Sequence, residues 1–192
     1  VSKLKEAFYN AFFDEESSLF TDSEISSHSS LHANAIPAFF GLVPEHATSS
    51  VIKLIKNKGL SCGVQISYFV LKALTRMGET ELVYDFILNE GKNSWANMLR
   101  EGATACFEVW GKEQKGNISL CHAWASAPIP ILIEDIIGLK PAAAGWKKIQ
   151  LDCKIPEKLA SLHLELQLDS GHVSLSCKNG KILNLLFDID RR

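Results

Sequence analysis

The hydrophobic period of this chain changes once, near residue 140, and that change limits the fold more than any other feature. From residue 2 to about 137 the apolar residues recur at helical spacing, in segments closed by Gly41, Gly59, Gly78, Gly91 and Gly102. Glycine suits the left-handed position that ends a helix, so each is expected to be a stop. In "SSVIKLIKNKG" the serines are placed to cap the helix, with apolar side chains at 51, 52, 54 and 55. "GVQISYFVLKALTRMG" is apolar nearly all round, which predicts a helix buried on both sides. Only "GET" separates it from "ELVYDFILNEG", and so short a link makes the two helices antiparallel neighbours.

After "GLKPAAAG" the period falls to 2. Ile149, Leu151, Cys153 and Ile155 alternate with polar residues, as do Leu162, Leu164, Leu166 and Leu168, the pattern of half-buried strands. "DSG" at 169–171 and "KNGK" at 178–181 read as hairpin turns, the second with the Asn-Gly pair of a type I′ turn. The expected organisation is mainly α followed by β: a helical part over 1–140 and a small antiparallel β-sandwich or sheet over 141–192. The boundary falls around Pro141, the alanines and Gly145. Period alone leaves a bundle, a solenoid and part of an α/α toroid open, although no repeat of about 34 to 40 residues marks a solenoid.

Composition excludes several function classes. The formal net charge is −2 and no Lys/Arg stripe exists to neutralise a phosphate backbone, so nucleic acid is not an expected partner. The stretch "APIPILIEDIIGL" carries two prolines and two acids and is shorter than the roughly 20 apolar residues that span a bilayer, so no membrane partner is expected. The amphipathic, acidic start "VSKLKEAFYNAFFDEE" is unlike a signal peptide, and with no initiator Met the chain is expected to begin inside a longer product. Neither feature fixes a compartment. Cys62, Cys106, Cys121, Cys153 and Cys177 are odd in number and lack C-x-x-C spacing, which reads as reduced, buried thiols. Asn117-Ile118-Ser119 fits a glycosylation sequon, a match common by chance.

Chemistry concentrates in "NSWANMLREGATACFEVWGKEQKGNISLCHAWASAP". Trp95, Met98 and Leu99 share a helical face, Gly102 ends that helix, and no clear helical period follows until about Ser119. This loop holds Glu108, Trp110, Glu113, His122 and Trp124. Carbohydrate sites use this set: indole faces stack on sugar C–H faces, while carboxylate and imidazole bond hydroxyls and move protons. Rings beside Glu108 would desolvate its carboxylate and raise its pKa. A solvated Glu108, a structural His122 and packed tryptophans are the plainer alternatives. His28 and His32 in "HSSLHANA" are spaced to share one helix face, but no third ligand accompanies them, so no metal and no cofactor are expected.

Three stretches, "SLHANAIPAFFGLVPEH", "SWANMLREGATACFEVW" and "SLCHAWASAPIPILIEDIIGLKP", resemble the C-terminal portion of the α-L-rhamnosidase family of glycoside hydrolases over about residues 1–155. The resemblance implies part of an (α/α)6 barrel followed by a C-terminal β domain, acting on terminal α-L-rhamnosides with inversion. Glu108 falls on the family's general base and His122 on a histidine that contacts the sugar. Trp110 and Trp124 match motif aromatics, Trp95 is a further candidate for the wall of the site, and His32 and Asn34 match a motif on an earlier helix. The implied partner is a rhamnose-containing glycoside. Another toroid glycosidase and a non-catalytic carbohydrate-binding scaffold are the rival readings.

The sequence departs from the family pattern at Ala105, Phe107 and Cys121, where Thr, Trp and Asn are usual, so sugar contacts are expected to differ. The largest departure is one of extent. The family's general acid lies in a motif resembling D-E-R-x-G-W, which this sequence lacks. Inversion needs two carboxyl groups about 6.5 to 9.5 Å apart, and Glu113, five residues from Glu108, reads as solvated. About six or seven helices precede residue 140, roughly half of what six closed hairpins require. The chain is therefore expected to be a catalytically incompetent piece of a longer enzyme, with an open helical face through which it self-associates.

Overall fold

A computed structural model describes residues 1–168 and 171–189. Seven α-helices precede or begin the β part among these residues: α1 Ser2–Phe12, α2 Leu31–Phe39, α3 Thr48–Lys58, α4 Val64–Arg76, α5 Thr80–Ile87, α6 Trp95–Arg100 and α7 Pro128–Ile131. The chain divides into two compact units, Val1–Pro128 and Ile129–Arg192.

In the first unit α4 is the central helix, packed against α2, α5 and the turn Ala123–Ala125. Its buried residues Val64, Val70, Leu71, Ala73 and Leu74 meet that need from several sides, as its nearly all-round apolar pattern predicts. Amphipathic α3 instead buries one stripe, Val51 and Ile55, and packs on α2. Four of the five predicted stops, Gly41, Gly59, Gly78 and Gly102, adopt positive φ. At Gly102 (φ +82°), its N–H donates to Leu99 O and that of Ala103 to Met98 O, the paired bonds that close a helix C-terminus.

Some expectations fail locally. Gly91 is not a helix stop, since α5 ends at Ile87. The serines of "SSVIKLIKNKG" do not cap α3: Ala47 is at its N-cap without a side-chain bond, and both serines lie inside the first turn. The helical region also contains a small hairpin, β1 Phe13–Asp14 with β2 Leu19–Phe20, in the register Phe13↔Phe20 and Asp14↔Leu19. Two-residue strands are too short to leave a period-2 signal. Asp14 forms their turn by accepting from Ser17 N–H.

The second unit places two small antiparallel sheets around one apolar core. Strands β3 Leu139–Pro141 and β4 Ile149–Leu151 form the first. β5 Ser161–Leu168, β6 Gly171–Lys178 and β7 Lys181–Ile189 form the second, in the order β5-β6-β7. The β5 leucines land opposite the β6 core residues, Leu162↔Cys177, Leu164↔Leu175 and Leu166↔Val173, so both alternations point to one face. Ile149 and Leu151 pack against the same cluster. Cys153 and Ile155 join this core from outside the ladder, because β4 ends at Leu151. Asn179 and Gly180 take φ of 49° and 71°, as a type I′ turn requires. Of the predicted turn at 169–171, residues 169 and 170 lie outside the described residues.

Candidate active site

Glu108 lies in the irregular segment between α6 and α7, where backbone pairing rather than regular structure sets its position. Glu108 N–H donates to Ser119 O (2.9 Å) and His122 N–H to Cys106 O (2.8 Å), bringing 106–108 alongside 119–122. Phe107 is buried, and Glu108 beside it is only partly so. The Glu108 carboxylate accepts from Lys115 Nζ at Oε1 (2.9 Å) and from Ser119 N–H at Oε2 (3.0 Å).

Those bonds overturn the expectation that aromatic neighbours raise the Glu108 pKa. The Lys115 ammonium and the Ser119 amide hold it below the usual carboxylate range, with the charges of Lys115 and His122 acting in the same direction. Partial burial pushes the other way and is outweighed by those two hydrogen bonds. Glu108 is therefore an ionised acceptor at neutral pH, the state a general base needs.

The His122 ring lies against the Trp124 indole, with centroids 3.9 Å apart and planes at 38°. Trp124 is 43% exposed and offers its surface to solvent. The turn that carries it is fixed from behind, since Trp95 Nε1 donates to Ala125 O at 2.7 Å. Trp95 is half-buried and meets Trp110 edge-on at 4.9 Å.

Trp110 is a core residue rather than a wall of the site. It is 2% exposed, its Nε1 donates to Cys62 O (2.7 Å), and Asn97 Nδ2 donates to its carbonyl (3.0 Å). An indole so enclosed has no free face to stack on a ligand. Phe107 is likewise 2% exposed, so phenylalanine in place of the family's Trp alters packing and not an open sugar-facing surface. Ala105 and Cys106 line an apolar hollow of about 230 Å³ with Trp95, Met98 and Leu99, and Cys121 is exposed. Glu113 is on an exposed turn, with a carboxylate oxygen beside that of Glu101 across Gly111.

His32 lines a different hollow, of about 400 Å³, together with Phe8, Phe12, Phe20, Thr21 and Asp22. His28 does not share a helix with it, because Ser30 caps α2 by accepting from Ala33 N–H and leaves residue 28 before the helix. There Asp22 accepts from Ser30 N–H (2.9 Å) and contacts His28 Nδ1 (2.6 Å), which lowers the Asp22 pKa to about 2. Asn34 is structural: fully buried, it accepts from Phe20 N–H and donates to Phe20 O and Ser30 O, stapling β2 to α2. Among the described residues, no group of three His, Cys, Asp or Glu side chains is placed to hold a metal ion, and no helix is long and apolar enough to cross a membrane. The contacts that sequence reasoning missed are Asp22, Lys115 and Ser119, each joined to its partner by loop closure rather than by helical or strand spacing.

Helical hairpins followed by small antiparallel sheets are the architecture of one class: a six-hairpin glycosidase domain carrying a β unit. The chain belongs to the bacterial α-L-rhamnosidase six-hairpin glycosidase domain family, whose model matches residues 1–136. It is 26% identical over 186 residues to an α-L-rhamnosidase of Alteromonas sp. (strain LOR), covering 90% of this chain and 20% of that protein. To an α-L-rhamnosidase of Formosa agariphila it is 28% identical over 183 residues, covering 90% and 19%. The fold is similar to the α-L-rhamnosidase structure from Dictyoglumus thermophilum (TM-score 0.76, 24% identity, 92% of this chain and 20% of that one). It is also similar to a Streptomyces avermitilis α-L-rhamnosidase complexed with L-rhamnose (TM-score 0.74, 20% identity, 92% and 18%). The chain thus spans about a fifth of the length of these relatives.

Proposed function

We propose that this chain carries the general-base side of an inverting α-L-rhamnosidase site. Glu108 polarises the water that attacks the anomeric carbon, and His122 and Trp124 bind the sugar. The observation that carries this is the Glu108 carboxylate, ionised and 21% exposed, near an imidazole that lies tilted against a half-exposed indole. The L-rhamnose complex of the Streptomyces avermitilis relative supports rhamnose as the sugar. A carboxylate has about four lone-pair directions, and Lys115 and Ser119 occupy two, which leaves capacity to accept a water proton. The general acid would come from parts of the longer relatives to which this chain does not correspond, in keeping with its span of about a fifth of their length.

The purified chain should show no hydrolysis of an aryl α-L-rhamnoside above buffer, while added L-rhamnose should change the fluorescence of Trp124. Robust hydrolysis would require a second acid within these residues and would overturn this division of roles. Absence of any rhamnose response would remove the sugar site itself. In an intact enzyme containing this sequence, Glu108→Gln should lower kcat by roughly 10²–10⁴-fold by deleting the base at nearly constant shape. Leu4, Phe40 and Leu99 are exposed apolar side chains of the helical unit, and they favour self-association of the isolated chain, read by sizing in solution.

A further inference from the structure

We infer that Lys115 is a positioning residue for Glu108: with Ser119 it holds that carboxylate in one rotamer. This rests on Glu108 being the base, but its test does not depend on activity. Lys115 Nζ and Ser119 N–H bind different oxygens of the same carboxylate, at 2.9 and 3.0 Å. Ser119 O accepts Glu108's own N–H, so a single segment, 115–119, holds the residue at its backbone and at both side-chain oxygens.

The segment is itself anchored. Gln114 Oε1 accepts from Trp110 N–H (3.2 Å), tying the residue before Lys115 to the core (2% exposed Trp110), and Lys112 N–H donates to Glu101 Oε2 (2.8 Å). An isolated surface ion pair contributes little to stability because water screens it and side-chain entropy opposes it. Lys115 is 45% exposed, so its effect belongs on protonation and geometry rather than on melting temperature. The titratable groups acting on the Glu108 carboxylate are Lys115 and His122, and only Lys115 donates a hydrogen bond to it. The chemical consequence is a base that stays ionised at lower pH, with its free lone pairs held in a fixed direction.

The test follows the Glu108 carboxyl carbon by NMR as pH is lowered, in the wild-type chain, Lys115→Met and Lys115→Arg, with Glu108→Gln to assign the signal. Lys115→Met should move the Glu108 midpoint upward, Lys115→Arg should return it toward wild type, and neither should shift the melting temperature by more than about 2 °C. An unchanged midpoint in Lys115→Met overturns the proposal. Loss of the Ser119 amide environment in Lys115→Met without rescue by arginine also overturns it, because Lys115 would then merely scaffold the loop. An L-rhamnose titration of the wild-type chain separately reads the site assignment: a chain that ignores rhamnose yet shows the Lys115-dependent midpoint would lose the glycosidase role and keep the coupling.

Discussion

Trp110→Phe separates framework from binding surface. The phenyl ring keeps most of the packed volume but deletes the indole N–H, leaving Cys62 O without its 2.7 Å donor inside the core. A buried acceptor left unsatisfied costs about 1–3 kcal/mol. The lost half of the ring system was 2% exposed and met Trp95 at 4.9 Å. Its removal adds about 1–2 kcal/mol of transfer and cavity cost. The sum, about 2–5 kcal/mol, is a large share of the 5–15 kcal/mol typical of a folded domain. At about 2–4 °C per kcal/mol for a chain of this size, the melting temperature should fall by about 4–20 °C. Differential scanning calorimetry measures this, and an L-rhamnose fluorescence titration below the transition should still report binding through Trp124. Trp124→Ala should do the reverse, removing the titration signal with little change in melting. A Trp110→Phe chain that melts as the wild type does but fails to bind rhamnose would show that the indole at 110 contacts sugar, and would refute its assignment to the core.

Other outcomes follow from buried polar and backbone geometry. Asn34→Ala should cost about 2–5 kcal/mol by leaving Phe20 N–H and C=O unpaired under α2, seen as a lower denaturation midpoint at unchanged slope. Gly138→Ala should destabilise the β unit by at least about 2 kcal/mol, because φ is +74° and a Cβ there would lie 1.9 Å from Asp152 O; proteolysis or calorimetry of the variant reads it. Asp22 should titrate at about 2 in carboxyl NMR. Its folded-state pKa is depressed below the unfolded value of about 3.9, so its contribution is complete above that value and lost as pH falls toward 2; Asp22→Asn should abolish this acid-limb dependence.

The architecture was legible where side-chain pattern is a direct projection of backbone geometry. Leu162, Leu164, Leu166 and Leu168 alternate because β5 presents one face to Val173, Leu175 and Cys177, and that alternation survives in the string of letters. Gly78 and Gly102 marked helix ends because positive φ selects glycine. The hairpin at Phe13–Phe20 was not legible, since strands of two residues have no period to read. Trp110 and Trp124 look alike in sequence, each a lone indole in a segment without a helical or strand period. What distinguishes them is a carbonyl at Cys62, 48 residues upstream, that captures one indole and leaves the other open.

Glu108 shows how far a local list of neighbours can mislead about chemistry. In sequence its neighbours are Phe107, Val109 and Trp110, a set that argues for desolvation and a weakly acidic carboxyl. In space each of its oxygens accepts one hydrogen bond from a residue 7 or 11 positions away, Lys115 or Ser119, on a segment that Gln114 also ties to Trp110 N–H. Phe107 is itself buried at 2% exposure, while the Glu108 side chain is 21% exposed. Electrostatic character therefore follows from where the loop closes, and a substitution that reopened it, such as Gln114→Ala, would act on Glu108 without touching it.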